Sequence, residues 1–188
     1  MAWDDRDSAA TPVDTPAGLA ESLGVATRSR KLAIAVTLMA ALAMPAWAGI
    51  GEGYDAYERG DYAAAFREWL PAAETGNAEA QFNIAVMFQK GRGVPADSAE
   101  ALRWYRRAAW HGHADAQNNL GGMLSRGEGI PEDYVHAHMW FSLAAAQGKQ
   151  SAQRNLDTLA PKMRAREIAQ AERLAENWRA ATGQSKEQ

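Results

Sequence analysis

The sequence predicts an all-α protein, a right-handed α/α solenoid of helix-loop-helix units 36 residues long with a C-terminal cap helix. Three observations predict it. The run AQFNIAVMFQKGRGVP at 80–95 returns as AQNNLGGMLSRGEGIP at 116–131, and its opening returns as AQRNL at 152–156. Placed side by side without a gap, residues 76–111 and 112–147 share 14 identities in 36 positions. Within each copy, apolar residues recur three and four apart, the period of a helix buried along one stripe.

Each element of the unit follows from residues at matching positions. Ala80/Ala116, Ile84/Leu120, Met87/Met123 and Phe88/Leu124 draw the apolar stripe of a first helix. Gly91/Gly127 and Gly93/Gly129 end that helix and turn the chain. Pro95/Pro131 keep the first helix from continuing, and Asp97/Asp133 stand where a side chain accepts amide bonds at the start of a second helix. The second helix carries Ala101/Ala137, Trp104/Trp140, Tyr105/Phe141 and Ala108/Ala144, and Gly112/Gly148 close it. One such hairpin cannot bury its own stripe, whereas a stack of them can.

The pattern extends outward from the two clear copies. Tyr57, Gly60, Asp61, Tyr62, Ala65, Trp69, Ala73 and Gly76 fit the second helix of a degenerate first unit that lacks the long loop. The expected organisation is a solenoid over 49–160, with units at about 54–76, 77–112 and 113–148 and a partial unit at 149–160 that stops at Pro161. Residues 161–182 abandon the repeat and read as one cap helix with Met163, Ile168, Ala171, Ala175 and Trp178 on its inner side, followed by a tail at 183–188. Trp69, Trp104, Trp140 and Trp178 read as core knobs, and Trp110 as the exposed tryptophan.

Ahead of the solenoid, the basic cluster RSRK at 28–31 precedes 13 apolar residues at 32–44. A membrane-spanning helix needs about 20, so the stretch is short for an anchor. Pro45, Ala46, Trp47 and Ala48 supply the small residues of a cleavage site. Residues 28–48 therefore read as a secretory signal peptide cut between Ala48 and Gly49, which places the mature chain in the periplasm or outside the cell. A helix of the domain is the alternative structural reading. Residues 1–27 read as a disordered extension or as a misassigned start, with translation beginning at Leu23 or Val25. If the signal stays uncleaved, the protein is a membrane-tethered scaffold.

Composition narrows the function classes. A net charge of −3, a pI near 5.8 and no long Lys/Arg run give no lead towards nucleic acid. Removing 1–48 takes 4 of the 20 basic and 5 of the 23 acidic residues, leaving a net charge of −2 and no electrostatic lead. The absence of Cys excludes a disulfide scaffold, a thiolate metal site and a Cys nucleophile. His136 and His138 point apart on a helix, so they cannot share a metal ion; His111 and His113 flank Gly112 with no evident third ligand, and surface or capping roles are expected. No S-x-x-K occurs. The expectation is a protein without catalytic residues, cofactor or metal, and a monomer.

The 36-residue period, the GRGVPADSAEALRWYRRAA run at 91–109 and the AQ-x-NL starts resemble the Sel1-like repeat (SLR) family, a relative of the tetratricopeptide repeats (TPR). The resemblance covers roughly residues 54–160. It implies an adaptor that assembles protein complexes, with the first helices lining a concave surface for a protein or extended peptide. Asn83 and Asn119, and less directly Asn155, then stand where an Asn hydrogen-bonds a peptide backbone, or where it fixes neighbouring hairpins; Gln81, Gln117 and Gln153 share that ambiguity. Positions that vary between units, Phe82/Asn118/Arg154 and Val86/Gly122, are candidates for recognition, with Phe82 and Val86 as an apolar patch rimmed by Gln89 and Lys90. Some secreted relatives are connected with β-lactam binding through cysteine bridges that this chain lacks. A cell-wall enzyme accessory or weak hydrolase is the alternative function.

Overall fold

The computed structural model describes residues 48–183, all helices and turns. The elements are α1 (Ala48–Glu58), α2 (Tyr62–Glu74), α3 (Ala78–Lys90), α4 (Ser98–Trp110), α5 (Ala114–Arg126), α6 (Tyr134–Ala146), α7 (Gln150–Leu159) and α8 (Ala165–Thr182). The first helices of successive units are α1, α3, α5 and α7, the second helices are α2, α4 and α6, and α8 is the cap. From α1 to α7 each helix packs on the next, and α8 packs on α6. The result is an α/α solenoid with a terminal helix laid across its last complete hairpin.

The boundaries are set by local chemistry. Asp61 accepts the amide of Ala64 at 3.0 Å, Asp97 those of Ala99 and Glu100 at 2.8 and 3.0 Å, and Asp133 that of His136 at 3.0 Å, so three second helices start on the same cap. They end alike too. Past α4, the amide of Gly112 reaches Ala109 O at 3.0 Å and that of His113 reaches Ala108 O at 3.1 Å, the paired bonds of a Schellman turn; Gly76 and Gly148 repeat them, and Gly60 closes the first helix α1 in the same way.

The first helices end differently from the expectation in one respect. Gly91 and Gly127 stop α3 and α5 as left-handed caps, with φ +64° and +68° and their amides on Met87 O and Met123 O. Pro95 and Pro131 do not stop these helices. Both lie well inside the loop, after the glycine has already turned the chain, on the non-helical lead into Asp97 and Asp133. A residue without an amide hydrogen costs nothing there. The loop is closed instead by the Asp amides, which return to Phe88 O at 3.0 Å and Leu124 O at 2.9 Å.

The long loops also dock on the preceding unit. Gly93 has φ +73°, and a Cβ there would lie 2.5 Å from the carbonyl carbon and oxygen of Tyr62. Gly129 approaches Ser98, 36 residues after Tyr62, with its Cβ position 3.3 Å from the carbonyl carbon.

Inside each hairpin an aromatic ring of the second helix meets a small residue of the first. Trp69, Tyr105 and Phe141 form one column, all at most 2% exposed. Facing them are Gly53, Ala85 and Gly121; a Cβ on Gly53 would sit 2.2 Å from Trp69 Nε1, and one on Gly121 would sit 2.7 Å from Phe141 Cδ1. Gly53 falls in register with Ala85 and Gly121 once the first loop is counted: 59–61 holds three residues where 91–97 holds seven. Trp104 and Trp140, one position earlier on α4 and α6, are buried as well; Arg107 lies over the Trp104 ring, and Trp140 meets Trp178 of the cap helix edge to face.

Two expected boundaries move. The first unit does not begin near 54, because α1 runs from Ala48 and completes the hairpin; Tyr57 lies in this first helix and Gly60 in the turn. Its apolar stripe is broken by Gly49, Gly51 and Gly53, two of which touch α2 closely, so hydrophobic period does not reveal it. At the other end, α7 winds through a 3-10 turn at Ala160–Lys162 around Pro161, Met163 is extended, and the cap helix starts at Ala165. Glu167 receives the amide of Arg164 at 2.8 Å and fixes that start. Ala171, Ala175 and Trp178 are buried against α6, and Trp110 is 51% exposed. Apart from Ala48, the signal segment and the extension ahead of it lie outside the described residues.

Gly53→Ala drives a methyl into the Trp69 indole, and the expected cost is about 1–3 kcal/mol. Gly51→Ala, two residues away with nothing within 4 Å, is expected to stabilise α1 by about 0.5–1 kcal/mol. Denaturant titration followed by tryptophan fluorescence compares the two; equal effects would contradict the packing described.

Candidate functional site

The first helices α1, α3, α5 and α7 stand side by side, and polar bonds link them at their N-terminal ends. The Tyr54 hydroxyl donates to Glu79 and accepts from Asn83 Nδ2 at 3.0 Å, joining α1 to α3. Glu79 Oε2 also meets His113 Nε2 at 3.0 Å, joining α3 to α5. Thirty-six residues on, Asp115 pairs with Lys149, which stands at the N-terminal cap position of α7. Acid and base thus occupy matching repeat positions, Glu79/Asp115 and His113/Lys149. His113 is used on both ring nitrogens: Nδ1 accepts the amide of Ala116 at 3.2 Å, which caps α5, and Nε2 faces Glu79. His113 and His111 therefore do not form a chelate, and no group of three or more metal-ligating side chains occurs among the described residues.

Each recurring polar residue finds its partner within the array. Gln81 Nε2 donates to Ala73 O at 3.0 Å and Gln117 Nε2 to Ala109 O at 3.2 Å, clamping a first helix to the C-terminal carbonyls of the helix before it. Gln153 instead bonds Asp157 on its own helix at 2.9 Å. Asn119 Nδ2 donates to the Tyr105 hydroxyl at 3.1 Å, and that hydroxyl donates to Gln89 Oε1 at 2.8 Å. Tyr105 is therefore the buried link between α3, α4 and α5, and burial pushes its hydroxyl up to about 12, so it stays a donor. Asn83 and Asn155 sit in the same column, but their equivalents of Tyr105 are Trp69 and Phe141, which carry no hydroxyl. Asn83 turns to Tyr54, and Asn155 Nδ2 donates to Asn118 Oδ1 at 2.9 Å.

The residues singled out for recognition lie on this face in two groups, Phe82, Asn83, Val86 and Lys90 on α3 and Asn118, Asn119 and Gly122 on α5. Phe82 is half-buried, stacked on His113 with centroids 4.6 Å apart and planes at 14°, and it also meets Tyr105 at 6.0 Å. Val86 is half-buried and packs on the core, whereas Lys90 is exposed. Gly122 is buried because the Arg126 guanidinium lies over it: a Cβ there would be 3.0 Å from Nη1. Sequence reasoning passed over the Glu79/Asp115 and His113/Lys149 columns, although their 36-residue spacing marked them. It also passed over a half-open cleft between the C-terminal ends of α5 and α7, lined by Ser125, Arg126, Asn155, Thr158 and Lys162.

Outside this face, His138 is buried on α6, with Nδ1 3.3 Å from Ser142 Oγ. Burial holds its pKa below the ordinary value, with Glu172 of α8 opposing in part. On the same helix, the His136 ring bonded to Asp133 keeps that carboxyl below the usual range.

A row of helical hairpins whose neighbouring first helices are joined by matched polar bonds defines an α/α repeat protein. Residues 78–113 and 114–149 match the Sel1 repeat, and the chain is a Sel1-like repeat (SLR) protein. Among the solved structures that share its fold are two repeat proteins. One is c5321, a protective antigen present in uropathogenic Escherichia coli strains that displays an SLR fold, 27% identical with a TM-score of 0.70 over 89% of this chain and 38% of that one. The other is a Sel1 repeat protein from Oxalobacter formigenes, 32% identical with a TM-score of 0.56 over 64% of this chain and 53% of that one. The chain thus spans about two fifths and one half of their lengths. No curated protein matches the sequence. Sel1 repeat proteins are protein-interaction scaffolds.

Tyr105→Phe leaves Asn119 and Gln89 without their shared partner, and the expected loss is about 1–3 kcal/mol of unfolding free energy. Urea denaturation measures it, and a neutral result would contradict the link. His138 adds a pH effect of fixed sign. Its folded pKa lies below the unfolded one, so unfolded chains bind the proton first and stability falls as pH drops below about 6.5. The melting temperature of His138→Gln is expected to decline less between pH 7 and pH 5 than that of the native chain.

Proposed function

We propose that the protein is a secreted, periplasmic scaffold that holds another protein or an extended peptide along the concave face formed by its first helices. The observation that carries this reading is the division of labour on those helices. Core positions repeat from unit to unit, as in Ile84/Leu120 and Met87/Met123, while two columns that run from buried or half-buried to exposed along the array differ in every unit: Phe82/Asn118/Arg154 and Val86/Gly122/Thr158. Packing does not dictate the exposed members, Arg154 and Thr158 beside Lys90, so a partner's chemistry is free to. The backbone beneath is held by the Gln clamps and the Tyr105 link, which makes the face rigid before binding, and a partner segment bears most of the ordering entropy. Export rests on the basic cluster, the apolar stretch and the Ala48–Gly49 site; no helix among the described residues is long and apolar enough to cross a membrane.

The variant Lys90→Glu/Arg154→Glu reverses the charge at two exposed positions of the face without touching the Tyr54, Tyr105 or Gln81 bonds. In a pull-down from periplasmic extract, a partner held by the full native chain is expected to be lost, by tenfold or more, from this variant while its circular dichroism and melting curve stay native. Equal capture by both would overturn the assignment of the face.

A further inference from the structure

Lys90, Arg126 and Lys162 stand 36 residues apart, the first two at the ends of α3 and α5 and the third at the matching position past α7. At Lys90 and Arg126 a cation complements the negative end of the helix dipole. Lys162 lies beyond α7, in the 3-10 turn, and makes no ion pair among the described residues. Between it and Arg126 opens the cleft noted above, with a volume of about 230 Å³ and Phe141 contributing to its wall.

The polar atoms around the cleft are already partly committed, and the pattern of what is left defines a ligand. Arg126 gives its Nε to Glu128 Oε1 at 2.5 Å, which leaves both Nη groups, held over Gly122. The Ser125 and Thr158 hydroxyls donate to Gly122 O at 3.0 Å and Arg154 O at 2.9 Å, so their oxygens remain as acceptors. Asn155 spends one Nδ2 hydrogen on Asn118 and keeps the other. With Glu128 cancelling Arg126, the net charge is that of Lys162 alone, which suits a single carboxylate better than a dianion. Donors for the carboxylate stand beside acceptors for an amide N–H, the two groups that a peptide carries at its last residue. The cleft also lies at the last of the four first helices, where a chain crossing the row runs out.

We propose that this cleft holds the C-terminal carboxylate of a peptide lying on the first helices, with Arg126, Lys162 and Asn155 donating to the carboxylate and Ser125 or Thr158 accepting the terminal amide N–H. The proposal rests on the reading of that face as a peptide-binding surface. It predicts preference for a free C-terminus over an amidated one, and it gives Gly122 a role: the bare Cα leaves room for the Arg126 guanidinium.

The test is a nitrogen-15 NMR titration of the full chain with acetyl-Ala-Ala-Ala bearing a free carboxylate, the same peptide amidated, and acetate. The expected result is saturable movement of the amide signals of 125, 126, 155, 158 and 162 with the free-acid peptide, and at least fivefold weaker effects with the other two. Lys162→Met, and Gly122→Val, which displaces the guanidinium without removing a charge, are each expected to weaken the free-acid peptide by about fivefold or more, as loss of a charged hydrogen bond does. Lys162 is exposed and Gly122 buried, so unchanged spectra elsewhere are required of both variants to show that they fold. Acetate acting as strongly as the peptide, or no saturable movement at these signals, overturns the proposal. If the amidated peptide moves signals of 82, 86 and 90 while the cleft stays silent, the carboxylate assignment fails and the peptide-binding face stands.

Discussion

The contact on which the solenoid depends is the seat of one aromatic ring per hairpin against a residue with little or no side chain. Trp69 lies on Gly53, Phe141 lies on Gly121, and Tyr105 takes the equivalent place opposite Ala85. A larger side chain on the first helix would hold the two helices apart and leave the ring half solvated; without one, the helices close and the ring is sealed at 0–2% exposure. Everything on the outer side follows from that closure. It brings the Gln81 and Gln117 amides onto the last carbonyls of the preceding helix, and it sets neighbouring first helices near enough for Glu79 to reach His113 and for Asp115 to reach Lys149.

The same column explains why the face differs along its length although the backbone repeats. Trp, Tyr and Phe fill one site with similar rings, yet only Tyr105 offers a hydroxyl, so Asn119 is tied inward while Asn83 and Asn155 look sideways to Tyr54 and Asn118. A buried choice between a ring with and without an oxygen thus changes which amide groups the surface can present. Surface chemistry and packing are coupled here through a single atom.

Much of this was legible in the sequence because the repeat supplies its own alignment. Gly91, Gly127, Asp97 and Gly112 declare the turns and caps through chemistry that needs no neighbour. Pro95 and Pro131 marked the loop but not its start, since a left-handed glycine ends a helix before any proline has to. The first helix of the opening unit was not legible, because its glycines serve close approach and erase the apolar period. The break at Met163 was hidden for a related reason: a 3-10 turn around Pro161 carries no periodic signal of its own. On the face, sequence placed the Asn column but not its partners, because Tyr54 and Asn118 lie outside the repeat's own pairing. The cleft beside Lys162 needed the third dimension, as its lining comes from α5, α6, α7 and the turn after α7.

The loop glycines Gly93 and Gly129 have a further consequence. Each loop rests on the start of the second helix one unit earlier, Tyr62 and Ser98, and the equivalent platform in the third unit, Tyr134, carries no such loop because the chain ends its repeat in the Ala160–Lys162 turn. The array is therefore a train with a coupling left open at its last carriage. A second copy of residues 113–148 spliced in after Gly148 would bring its own Gly129 to Tyr134, its His113 to Asp115 and its Gln117 to the carbonyl of Ala145.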